Sequence, residues 1–257
     1  MKKIFFPLMI ILMLTGCGNF NDTNKLIIGI DDAFPPMSFY NENGKLVGFD
    51  IDLAKEAAKR MGLEVEFKPI DWNNKEEEIT SGNIDMIWSG CDITPEREEY
   101  MIFSKPYIED RQIILIKKND DLDIHSEYDL EGSVVATQAG SNSDDYITKN
   151  KKLKSRIKEY KTYDKFGEMV EALKKDEIEV IICDELIARY EMESYPNQLK
   201  IINVKIGTVS ESGVGFPKDK TALRDKVQET FDGMINDGTA REISLKWFKA
   251  DLIKYNL

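Results

Sequence analysis

The sequence predicts an α/β protein of two lobes that share a two-strand hinge. Two observations carry this. From residue 25 to the C-terminus, short β-rich apolar runs alternate with segments of helical periodicity, the pattern of α/β lobes with mostly parallel sheets. Two long extended runs without helical periodicity interrupt that alternation, "PYIEDRQIILIKKND" at 106–120 and "KIGTVSESGVGFPKD" at 205–219. If both cross between the same two lobes, the middle of the chain is an inserted lobe hung on two strands. Lobe 1 is then 25–109 with 212–257, and lobe 2 is 110–211. A chain of 257 residues is long enough for two such units.

Each element follows from local pattern. "KLIIGI" (25–30) is a short β-rich run. "FDIDLAKEAAKRMG" then places Ile51, Leu53, Ala54, Ala57, Ala58 and Met61 on one helical face, with Gly62 as a stop. "EVEFKPI" predicts a strand, "NKEEEITSG" a polar helix ending at Gly82, and "IDMIWS" a buried strand. Met86 and Trp88 in that strand are expected to pack in the core. "SVVATQ", "EVIICD" and "KIINV" predict strands, with "DKFGEMVEALKKD" a helix between the first two. "LRDKVQETFDGMINDG" and "AREISLKWF" are two helical patterns separated by Gly238. Leu223, Val227 and Phe231, then Ile243 and Trp247, recur at four-residue spacing, as core packing requires. The chain has no internal repeat or low-complexity tract.

The N-terminus speaks to compartment. "MKK" is a basic start, and "IFFPLMIILML" is an apolar run too short to span a bilayer. It leads into "LTGC", Leu14 to Cys17, which resembles a bacterial lipobox. The resemblance implies a signal peptide at 1–16, lipidation of Cys17, a tether over 17–24, and a protein held at the outer face of the cell membrane. An ordinary signal peptide and an uncleaved anchor are the alternatives. The net charge is −12, from 47 acidic and 35 basic residues, and becomes two units more negative once Lys2 and Lys3 leave with the leader. Nucleic acid and anionic headgroups are therefore excluded as partners.

After Cys17 only Cys91 and Cys183 remain. Both are read as buried free thiols, although an exported protein could pair them. The single histidine, His125, lies in the polar stretch "NDDLDIHSEYD". It has no ligand-spaced partner for a metal and argues against nucleophile–histidine chemistry. No metal or cofactor is expected.

In α/β sheets ligands collect at the carboxyl ends of strands. Polar clusters sit at four such ends: "DDAFPP" after "KLIIGI", "SGCDITPER" after "IDMIW", "QAGSNSDD" after "SVVAT", and "DE" after "EVIIC". An arginine, two acids and a helix start rich in N–H donors suit a zwitterion. The guanidinium takes a carboxylate as a fork, and an acid takes an ammonium. Arg97, at the end of a buried run, is read as awaiting a carboxylate from a ligand.

From Lys25 to Phe248 the chain resembles the bacterial extracellular solute-binding proteins of family three, the amino-acid receptors of ABC importers. The matching stretches are "GKLVGFDIDLAKEAAKRMG", "DW", "SGNIDMIWSG", "ITPEREEYMIFSKPY", "LEGSVVATQAGS", "VEALKKDEIEVIICD" and "DGTAREISLKWF". The resemblance implies a periplasmic-binding-protein-like fold closing over one amino acid as a monomer, with a permease and its ATPase as partners. By position it implies that Arg97 holds the ligand α-carboxylate, helped by N–H groups near Asp92, Ser141 and Asn142. It further implies that Asp184 takes the α-ammonium with Ser89 and Gly90, that Phe34 and Trp72 flank the ligand side chain, and that Asp31 lies deep in the side-chain pocket.

For each residue a purely structural reading stands beside this one. Arg97 would pair with Glu96 or Glu99, Asp184 would cap the following helix, Phe34 and Trp72 would only pack, and Asp31 would only form a turn. One departure matters: many relatives carry Ser or Thr where this chain has Asp92. With Asp31 and Asp184 it makes the cleft acidic and favours a polar or basic amino acid. Otherwise Asp92 turns aside to pair with Arg97. A tethered sensor or adhesin, and a dehydratase-like enzyme on the same fold, are the alternative functions.

Overall fold

The computed structural model describes residues 24–195 and 197–255; the leader, Cys17 and the tether up to residue 23 lie outside them. The chain begins with β1 (Lys25–Ile30), followed by a small antiparallel trio, β2 (Ala33–Phe34), β3 (Ser38–Tyr40) and β4 (Leu46–Val47). Helix α1 (Phe49–Met61) buries the predicted apolar face and stops at Gly62, whose φ of 71° closes the helix. Next come β5 (Glu64–Pro69), a 3-10 turn at Trp72–Asn74, α2 (Lys75–Thr80), β6 (Met86–Ile87), α3 (Pro95–Glu98) and β7 (Met101–Phe103).

The chain then crosses on β8 (Ile108–Lys117) and builds β9 (Val134–Gln138), α4 (Asn142–Lys149), α5 (Lys151–Lys154), β10 (Glu159–Tyr163), α6 (Phe166–Lys174), β11 (Val180–Asp184) and α7 (Glu185–Ser194). It returns on β12 (Leu199–Ser212) and ends with β13 (Gly215–Pro217), α8 (Thr221–Asn236) and α9 (Thr239–Phe248).

Two five-stranded sheets result, in the orders β5-β1-β6-β13-β7 and β10-β9-β11-β8-β12. In each, the first three strands are parallel. The fourth strand, β13 in one sheet and β8 in the other, runs antiparallel to both of its neighbours, because each enters its sheet from the opposite lobe. The crossovers form one antiparallel ribbon, from Leu199↔Lys117 to Ser212↔Ile108, with register shifts on either side of Ile206. This ribbon is the connection between the two lobes.

Both faces of each sheet are covered by apolar residues. On sheet one, α1 and α8 pack Ile51, Leu53, Val227 and Phe231 around Ile28 and Trp88, while Ile79, Ile84 and Cys91 fill the other face. On sheet two, Met169 and Leu173 of α6 lie over Ile113 and Ile181, opposite Ile114, Val135 and Ile147. Cys91 and Cys183 are buried in different clusters as free thiols.

Two expectations need correction, and one feature was not foreseen. The run "IDMIWS" pairs as a strand only at Met86–Ile87, because the chain turns away at once to form a polar loop. Trp247 sits partly buried at the rim, its Nε1 donating to Asp52 Oδ2 at 2.8 Å, whereas Trp88 is the fully buried tryptophan. The antiparallel trio had no recognisable signal, since its strands are two or three residues long.

Candidate functional site

On lobe 1 the site grows from the carboxyl ends of β1 and β6. Asp31 follows β1, and its Oδ1 accepts the Ala33 N–H at 2.9 Å, turning the chain toward Phe34. Ser89 Oγ accepts the Asp31 N–H at 3.1 Å and bonds Ser38 Oγ at 2.6 Å, which ties the two strand ends together. Gly90 has φ +54°, and a Cβ there would lie 2.7 Å from the Phe34 ring, so only glycine lets that ring cover the loop. Its N–H donates to Asp50 Oδ2 at 2.7 Å, and Tyr107 Oη donates to the same oxygen at 2.9 Å.

Thr94 then caps α3, accepting the Arg97 N–H at 3.3 Å, with Pro95 opening the helix. This short turn swings Arg97 back into the cleft, where it is 3% exposed. Its Nη1 donates to the Asp92 main-chain carbonyl at 2.9 Å. Among the described residues no carboxylate makes an ion pair with it; Glu96 pairs with Lys149 instead. The Asp92 carboxylate accepts from Ser212 Oγ at 3.0 Å, at the root of β12. Arg97 therefore binds the backbone of Asp92 and not its acid. Trp72, 8% exposed, heads the 3-10 turn that Asp71 caps.

On lobe 2, Ser141 caps α4 by accepting the Asp144 N–H at 3.2 Å. Asn142, as the first helical residue, has a backbone N–H that the helix itself cannot use. Asp184 occupies the cap position of α7 but makes no side-chain cap bond. Its Oδ1 instead accepts from Gln112 Nε2 of β8 at 2.6 Å, and Gln112 Oε1 accepts from Ser143 Oγ.

All ten residues singled out from the sequence line one cleft: Asp31, Phe34, Trp72, Ser89, Gly90, Asp92, Arg97, Ser141, Asn142 and Asp184. An eleventh, Gln138, was missed. It ends β9, and its Nε2 donates to Asp31 Oδ2 at 2.5 Å and to the Asp164 carbonyl at 3.1 Å. Its position at a strand end facing the polar loop "AGSNSDD" was the available signal.

The lobes are closed on each other. Besides Gln138 to Asp31, Lys165 reaches Asp32 at 3.1 Å, Lys149 reaches Glu96 at 2.6 Å, and Tyr190 packs edge-on to Phe39 at 5.3 Å. In this arrangement the space open to the centre of a water molecule is about 20 Å3, room for about one or two waters. A molecule of amino-acid size enters only if the lobes part.

The charges are strained toward neutrality. Burial raises Asp31 and Asp92 above the usual carboxylate range, with hydrogen bonds and, for Asp92, Arg97 holding them back. Asp184 is pushed up to about 7 by burial and then by the Asp92 charge. Asp110, just behind, is raised well above normal by burial and Asp184. A carboxylate cluster of this kind gains from an incoming cation. Opposite it stands a buried guanidinium without a carboxylate, which gains from an incoming anion. Among the described residues no cluster of His, Cys, Asp and Glu suits a metal ion, and the His125 side chain is 82% exposed beside Asp123.

Residues 26–250 match the family described as bacterial extracellular solute-binding proteins, family 3. The L-cystine-binding protein TcyJ of Escherichia coli is 30% identical over 233 residues, covering 91% of this chain and 86% of that protein. The arginine-binding extracellular protein ArtP of Bacillus subtilis is 31% identical over 247 residues, covering 93% of each. The crystal structure of an ABC uptake transporter substrate-binding protein from Streptococcus pneumoniae with bound histidine superposes with a TM-score of 0.84 at 35% identity. That superposition covers 90% of this chain and 95% of the other.

Proposed function

The chain belongs to the bacterial extracellular solute-binding proteins of family 3, and from that premise we propose that it captures a free amino acid outside the cytoplasm for an ABC importer. One observation carries the reading: Arg97, buried without a carboxylate partner on lobe 1, faces Asp184, held near neutrality on lobe 2. A zwitterion satisfies both at once, and only with the lobes closed.

In this reading Arg97 takes the α-carboxylate as a fork, with N–H groups at Ser141 and Asn142 completing its shell. Asp184 and Asp92 take the α-ammonium, beside Ser89 and Gly90. Phe34 and Trp72 flank the side chain, and Asp31 with Gln138 meets its polar end. The lobes divide near residues 110 and 211 and swing on β8 and β12. Hinge closure around a ligand is the characteristic motion of periplasmic binding proteins. The ligand shifts the population because it binds the closed form better. Micromolar affinity, about −8 kcal/mol, allows capture yet permits release to a permease powered by its ATPase.

The relatives' names span cystine, arginine and histidine. Three acids against one arginine in this cleft favour a polar or basic ligand. Lipidation at Cys17 would hold the protein at the outer face of the membrane. Titration calorimetry and thermal shift with the twenty amino acids, ornithine, citrulline and cystine test the proposal. Binding of one or a few polar members in the micromolar range is expected. Absence of any heat or shift across the panel would overturn it.

A further inference from the structure

Lys75 opens α2 and is 8% exposed, yet among the described residues it has no carboxylate partner. Its Nζ donates to the Trp72 carbonyl at 3.0 Å in its own lobe and to the Gly140 carbonyl at 2.9 Å across the cleft. It also lies 5.5 Å from the centre of the Trp72 ring. The same Gly140 oxygen accepts from Arg97 Nη2 at 3.4 Å. Two cations thus converge on one neutral carbonyl, their nitrogens no more than about 6 Å apart.

The surroundings do not offset this. Facing Lys75 are Arg97 from α3, Cys91 from the preceding loop, and Asp144 and Asp145 from α4. Asp144 is already engaged by the Gly140 N–H and by Tyr160 Oη. The result is a lysine pushed down to about 8, by burial first and by Arg97 second. The Trp72 carbonyl and ring belong to its own lobe, so on closure the ammonium exchanges water for a single further bond, to a neutral carbonyl. The Gly140 loop of lobe 2 lies against Nζ, with its carbonyl at 2.9 Å, so its share of the desolvation is added only when the lobes come together.

We propose that Lys75 is a specificity-determining residue that acts without touching the ligand: its ammonium, buried beside Arg97 on closure, opposes closing until a ligand carboxylate enters against Arg97 and supplies the missing negative charge. The inference rests on the reading that Arg97 takes a carboxylate. It raises the cost of closing the empty protein, and it penalises amines that lack a carboxylate more than the arginine alone would.

The test uses the mature chain with Lys75→Met, which keeps the stem, Lys75→Gln as a second neutral variant, and Lys75→Arg, which keeps the charge. Small-angle scattering of the ligand-free proteins reads closure without any ligand. The neutral variants should be more compact than wild type, and Lys75→Arg should not. Calorimetry then compares L-arginine with agmatine, L-histidine with histamine, and L-cystine with cystamine. For the pair that binds, the neutral variants should narrow the preference for the amino acid by about tenfold. If no amino acid binds wild type, the carboxylate reading of the cleft fails, while scattering still decides the role of Lys75. Neutral variants that are as open as wild type, or that bind the amino acid more weakly, would overturn the inference and make Lys75 a latch.

Discussion

Replacing Arg97 by alanine is the most direct challenge to the binding reading. Arg97 is 3% exposed, and among the described residues its guanidinium bonds two main-chain carbonyls, Asp92 at 2.9 Å and Gly140 at 3.4 Å. A ligand carboxylate held there would be desolvated, so removing its partner strands a buried charge at a cost of about 3–5 kcal/mol. Affinity should fall by about two to three and a half orders of magnitude. Arg97→Lys should restore only part, because an ammonium cannot reproduce the fork.

The free protein responds differently. The two carbonyl bonds stabilise the arginine, but burying it without a carboxylate costs a similar amount, so apo stability should change by no more than about 1 kcal/mol. That corresponds to about 2–4 °C in Tm for a chain of this size. Asp92→Ser should leave Arg97 in place, since the Asp92 acid bonds Ser212 and not the guanidinium. Calorimetry with the amino acid identified in the panel, together with apo melting of all three variants, is the assay. An Arg97→Ala Kd within threefold of wild type would refute the carboxylate anchor.

Three further outcomes are expected. Gly140 has φ +67°, and a Cβ there would meet the Asn73 Cα at 3.0 Å across the cleft. Gly140→Ala should therefore hinder closure and weaken binding at least tenfold through a faster off-rate, read by stopped flow; an unchanged off-rate would argue against tight lobe approach at this loop. Asp50 is fully buried and pushed up to about 7 by burial, against the Gly90 and Tyr107 bonds. Its pKa is raised on folding, so its contribution is full below its unfolded value near 4 and is lost as pH rises through about 7, at most about 4 kcal/mol. Apo Tm should fall between about pH 4 and pH 7, and Asp50→Asn should flatten that slope; an identical slope would exclude Asp50 as a source. Cys17→Ala should release the protein to the medium or leave an uncleaved precursor; wild-type fractionation and migration would remove the lipid anchor.

Much of the architecture was legible because it is written in local pattern. The α1 face, the stop at Gly62 and the paired helices around Gly238 follow from spacing within a dozen residues. The two crossovers announced themselves by lacking helical periodicity. Ten of the eleven cleft residues were named from sequence because the resemblance to the solute-binding family placed them by position.

What the sequence by itself determined, then, is which segments become strands and helices and which strand ends carry polar side chains, since both depend on near neighbours. Only the tertiary structure decided what those side chains face. Gln138 reads as the last residue of a strand until closure sets it against Asp31, 107 positions away. Lys75 reads as one charge in a polar helix until Gly140, 65 positions on, buries it beside Arg97. Asp92 was expected to meet the ligand or to pair with Arg97, and its acid instead accepts from Ser212, a residue the sequence did not suggest, because β12 returns alongside it. Burial and pairing are properties of the space between lobes, and that space exists only once the hinge has brought distant segments together.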